Sequence, residues 1–135
     1  MTFSRGLLWL NIFIFAIYGL AYLVAPESLA WLATGFALPS AATAIDLRAT
    51  YSGFAIGVTA FLWMLLRGGS VEMQRIGQLG CVFTYGGIAF ARLVGIVATG
   101  KPTLFMWVLL CSEVLGVALS LYALRGIPAE AIALQ

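Results

Sequence analysis

A chain of 135 residues is one domain's worth of sequence, and 63% of it is hydrophobic while only 9% is charged. Soluble domains carry roughly 25% charged residues, so a surface this poor in charge belongs to an integral membrane protein. A formal charge of +2, with no basic run or stripe, excludes nucleic acid as a partner.

The sequence contains no histidine. That removes the commonest haem and zinc ligand and the usual general base near neutral pH. Cys81 and Cys111 both fall in apolar runs and lack the CxxC spacing of a redox or zinc site, so they read as small core residues. No metal and no resident cofactor is expected, although a bound lipid or quinone is compatible with the composition.

The first apolar run extends from Gly6 to Ala25, behind Arg5. A signal peptide would begin the same way. Here the run is long, Leu23 is a poor residue three before a cut at Ala25, and Pro26 would follow that cut. About 20 apolar residues cross the hydrocarbon, so the run is read as a first transmembrane helix over 6–25. Asn11 is its one strongly polar side chain, suited to a helix-to-helix hydrogen bond. The segment 26–35 is too short to cross. Pro26 and Glu27 at its head and Gly35 at its end are helix start and stop signals, and Trp31 suits the headgroup level. A short interfacial helix is predicted there.

Ser40 can cap a second long helix over 41–66. It is longer than the hydrocarbon requires, so Asp46 and Arg48 fall near the outer interface. Two residues apart, these side chains point to different sides and look to other partners. Ala49, Gly53, Gly57 and Ala60 form a smooth stripe for close packing. The polar stretch Arg67 to Arg75 is expected to be a loop. A third helix over 75–98 carries a longer stripe, Gly77, Gly80, Thr84, Gly87, Ala91 and Gly95, with Tyr85 and Arg92 on an adjacent side. A turn at Thr99 to Pro102 leads to a fourth helix over 102–124, with Glu113 near its middle. The tail from Arg125 to Gln135 is assigned no element. The prediction is an all-α membrane protein, a four-transmembrane-helix bundle with a short interfacial helix between the first and second spans, forming a single domain over 1–135.

Ionisable groups in hydrocarbon are costly, and they face a bundle interior or a wet cavity and pair with one another. Asp46, Arg48, Arg92 and Glu113 sum to zero charge and are read as one buried polar centre, with Tyr51 and Tyr85 at its flanks. Arg5, Arg67, Arg75 and Arg125 share one end of an even-numbered set of spans, against Lys101 at the other. The positive-inside rule then puts both termini in the cytoplasm.

The residues Asp46-x-Arg48-Ala49-x-Tyr51-x-Gly53, Ala91-Arg92-Leu93-x-Gly95, Gly100-Lys101-Pro102 and Glu113 resemble the pattern of an uncharacterised family of small bacterial four-helix membrane proteins, similar to the DoxX-like group. The likeness covers Pro26 to Arg125. It departs from the pattern at Asp46, where the family has Glu, and at Ser52, where it has Gly. The resemblance implies the fold, a place in the bacterial inner membrane and a common role for the buried charges. It implies no fixed activity, since DoxX-like relatives are associated both with quinone-linked redox complexes and with membrane-protein assembly.

Four functions fit the charges. They hold helix register as bridges, or they bind the headgroup of a lipid or quinone-like amphiphile between apolar walls. Glu113 serves a proton-coupled transporter, or Glu113 and Tyr51 form the acid–base pair of a cofactor-free lipid-modifying enzyme. With no catalytic constellation, the reading taken is a non-enzymatic protein. It is either an accessory subunit of a larger membrane complex or a binder of such an amphiphile. Its expected partners are membrane lipids and other membrane subunits or further copies of itself.

Overall fold

In the computed structural model, which describes residues 2–127, every regular element is helical. The helices are α1 (Phe3–Val24), α2 (Pro26–Thr34), α3 (Ala41–Leu47), a π-helical segment (Arg48–Ser52), α4 (Gly53–Gly68), α5 (Val71–Thr99) and α6 (Leu104–Arg125). The tail beyond 127 lies outside the described residues. α3, the π segment and α4 run on as one rod, so four helices are long and apolar enough to cross a membrane: Phe3–Val24, Ala41–Gly68, Val71–Thr99 and Leu104–Arg125. α2, at nine residues, is too short to do so.

The boundaries follow from local chemistry. Ser40, Ser70 and Thr103 each accept a hydrogen bond from the backbone N–H three residues on, which satisfies one orphan donor of the helix that follows. Arg67 to Arg75, expected as a loop, is almost entirely helical. Glu72, Met73, Gln74 and Arg75 are good helix formers, and the Ser70 cap lets them form the first turn of α5. The chain reverses only at Gly69, whose φ of 73° lies in the left-handed region. Pro102, expected to open the fourth helix, stands two residues before Leu104, and Thr103 caps it instead.

The chain divides into two compact units, Met1–Trp9 with Met64–Gln135, and Leu10–Trp63. In the first, α5 and α6 form an antiparallel hairpin. Arg92 meets Glu113 and Gly86 lies opposite Val117, so one index falls as the other rises, and Tyr85 packs on Gly116. The start of α1 joins them: Gly77 receives the Leu8 side chain, and a Cβ there would come within 3.0 Å of it. Gln78, fully buried, donates to the Ser4 carbonyl at 2.9 Å and hydroxyl at 3.2 Å. In the second unit Gly19 lets α1 approach Ala55 and Ile56 of α4.

The expected small-residue stripes pack only in part. A Cβ at Gly53, Gly57, Gly87 or Gly95 would meet nothing within 4 Å. Close approach occurs at Gly77 of the expected stripes and, outside them, at Gly19 and Gly116, where a larger side chain from the neighbouring helix fills the notch.

Candidate functional site

The sharpest polar feature of the first unit is the ion pair between α5 and α6. Arg92 Nε donates to both carboxylate oxygens of Glu113 at 3.0 Å, and Nη2 donates to Oε1 at 2.6 Å. A guanidinium seated on both oxygens has the strong, directional geometry of charge-assisted recognition. The Glu113 side chain is 9% exposed, while that of Arg92 keeps 25% of its surface uncovered. The hairpin explains how the two meet. Arg92 lies seven residues before Thr99, and Glu113 nine after Leu104. In antiparallel helices that leaves a small axial offset, which the long arginine side chain spans. One turn further down, the Tyr85 ring lies over Gly116, where a Cβ would sit 2.8 Å from the ring.

The second unit has its own charged centre. Arg48 Nε donates to the Leu23 carbonyl at 3.0 Å, one of the orphan acceptors at the end of α1. Its Nη2 stands 3.9 Å from Glu27 Oε1, at the head of α2. A cation there complements both the carbonyl end of one helix and the acid in the first turn of the next. Beside it Tyr51 stacks on Tyr22, with centroids 5.0 Å apart and planes 17° apart, and Tyr22 leans on Tyr18.

Arg48 opens the π segment, closed by a bond from the Gly53 N–H to the Arg48 carbonyl five residues back. In a regular α-helix, Ala44 and Ser52 would be offset by roughly 80° around the axis, since eight residues overshoot two turns. The wider π turn absorbs that overshoot, and both residues are buried. Nothing in the residue pattern marked this bulge.

The six expected site residues are therefore placed as follows. Arg92 and Glu113 are joined directly, and Arg48 is held by Leu23 and Glu27. Tyr85 packs beside the Arg92–Glu113 pair's helices, and Tyr51 stacks near Arg48's element on Tyr22. Asp46, expected to be buried, is exposed and makes no ion pair among the described residues. The reason is its position five residues into a 28-residue rod. Such a rod, about 42 Å long, is about 12 Å longer than a bilayer's hydrocarbon core, so a carboxylate this near its end needs no internal partner. Glu27 was the missed partner of Arg48. The signal for it was an acid in the first turn of the short helix α2, next in the chain after α1. Among the described residues no group of three or more Cys, Asp or Glu side chains is gathered as for a metal ion.

These features define an all-helical chain with four candidate membrane spans and one tight ion pair between two of them. The family model described as a domain of unknown function (DUF4345) matches residues 3–124, and the chain belongs to that family. No curated protein and no solved structure matches it.

Proposed function

We propose that this chain is a small, non-enzymatic integral membrane protein that binds the headgroup of a lipid or quinone-like amphiphile beside the Arg92–Glu113 pair. The observation that carries the reading is the asymmetry of that pair. Its acid is buried and its base keeps a quarter of its side chain uncovered, so the arginine is the member of the pair whose edge a ligand on the apolar helix hairpin meets. Apolar walls with few convergent polar groups are the usual composition of a small-molecule site. The carbonyl of a quinone or the ester of a lipid matches such an edge, because the pair is neutral as a whole. The reading places the protein in a bacterial inner membrane, by its similarity to the DoxX-like group, with both termini cytoplasmic by its arginine distribution.

The test is to purify the chain in mild detergent, extract it with organic solvent and identify the retained amphiphile by mass spectrometry. The Arg92→Leu/Glu113→Leu double variant, if folded, should lose that species. Equal retention by parent and double variant overturns the site.

A second reading, an accessory subunit of a larger membrane complex, is favoured by the sparse internal burial of the spans. Only 17% of the apolar window of α5 and of α6 is buried within the chain. Membrane helices associate through small-residue surfaces, and Gly87 and Gly95 present such a surface with nothing against it. Co-purification of one stoichiometric partner after mild solubilisation, lost in Gly87→Leu, would select this reading.

A further inference from the structure

A recess of about 610 Å³ lies in the second unit, between α2 and the head of α3. Glu27, Ser28 and Trp31 line one side, and Leu38, Ser40 and Ala44 line the other. Glu27 is its one charged wall residue among those described, and its side chain is 58% exposed. Four residues on, Trp31 stands on the same helix face, 61% exposed. A carboxylate beside an indole is a cation-selective pair, since the charge and the ring face both attract an ammonium. The Arg48 guanidinium waits beside it, 3.9 Å from Glu27 Oε1, beyond hydrogen-bond length. Its Nε bond to the Leu23 carbonyl fixes where the guanidinium sits. Glu27 on the wall and Arg48 just outside it thus place an anion and a cation a few ångströms apart at the edge of the recess.

We infer that this recess holds the headgroup of a zwitterionic phospholipid with a primary ammonium. The ammonium lies between Glu27 and Trp31, and the phosphate lies against Arg48. The surrounding surface points to a lipid rather than a soluble amine. Trp31, Leu32 and Phe36 are all large, apolar and exposed on and just after the short helix, the character of an element lying in the interface. A primary ammonium fits better than a quaternary one because the wall supplies acceptors, the Glu27 carboxylate and the Ser28 hydroxyl, that only an N–H can use. Ser40 is already committed to capping, through Thr43. This site stands apart from the Arg92–Glu113 reading, with no residue in common.

The experiment titrates the full chain, in mild detergent micelles, with phosphatidylethanolamine, phosphatidylcholine or phosphatidylglycerol and reads bound lipid by native mass spectrometry. Phosphatidylethanolamine should bind about threefold more tightly than phosphatidylglycerol, as expected for one ammonium contact at an exposed aromatic. Glu27→Gln and Trp31→Ala should each abolish most of that preference. Glu72→Gln, an exposed acid in the first turn of α5, should leave it unchanged. Circular dichroism shows whether each variant keeps its helices, and Glu27→Gln, at an exposed position, decides the matter if Trp31→Ala does not fold. Equal binding of the ethanolamine and glycerol lipids, a preference for the choline lipid, or a Glu27→Gln variant that keeps the preference overturns the inference.

Discussion

Replacing Arg92 by alanine removes the guanidinium that grips both oxygens of Glu113, a residue only 7% exposed. The carboxylate is then left in an apolar hairpin with its charge uncompensated. Breaking a buried pair in this way costs about 3–5 kcal/mol. Arg92 keeps a quarter of its side chain uncovered, and polar contacts between membrane helices run weaker than their burial suggests. The expected loss therefore sits at the lower end, about 3 kcal/mol. For a chain of this size that corresponds to a fall in Tm of roughly 12 °C. Glu113→Ala should cost a comparable amount, because it strands the arginine. The Arg92→Leu/Glu113→Leu double variant should recover to within about 1 kcal/mol of the parent, since matched apolar groups replace a buried pair at little net cost. Thermal unfolding in detergent micelles, followed by circular dichroism, measures all three variants. Either single variant melting with the parent, or a double variant as unstable as the two singles summed, refutes the reasoning.

Gly116→Ala should destabilise by about 1–3 kcal/mol through collision with the Tyr85 ring, whereas Gly87→Leu, which meets nothing within the chain, should leave the melting of the isolated protein within about 0.5 kcal/mol. Arg48→Ala should cost about 1 kcal/mol through loss of the Leu23 bond, with little from the exposed Glu27 pair, as read by the same melt. Deleting Thr50 should convert the π segment to regular helix and leave α3 in register with α4, since the seven residues then separating Ala44 from Ser52 turn about 700°, close to two full turns. Arg48 should keep its Leu23 bond, and the deletion should melt higher than Arg48→Ala. A cysteine placed at Lys101 should label from outside the cell and a reporter fused after Gln135 should register cytoplasm; the reverse pattern refutes the orientation.

The spans were legible in the sequence because a membrane helix is specified locally. Every backbone group is satisfied within the segment, so apolar length alone marks four spans, read as 6–25, 41–66, 75–98 and 102–124, where the structure has helices at Phe3–Val24, Ala41–Gly68, Val71–Thr99 and Leu104–Arg125. The short helix α2 was legible for a similar reason, since Pro26, Glu27 and Gly35 act on their own turns. The charges were legible as a list and not as partners. Arg92 and Glu113 could be brought to similar depths by counting from their shared turn, and the antiparallel hairpin joins them. Arg48 was another matter. Its partners Leu23 and Glu27 lie 25 and 21 residues away, and reaching them depends on a π turn that shifts the angular register of the helix after α3. Nor does a glycine state which neighbour it admits. Gly116 receives Tyr85 and Gly77 receives Leu8, while Gly53 and Gly87, equally small, face open space. Residue identity sets what a helix face can accept. The tertiary structure decides what arrives there, because packing depends on the rotation and approach of whole helices, which no local pattern encodes.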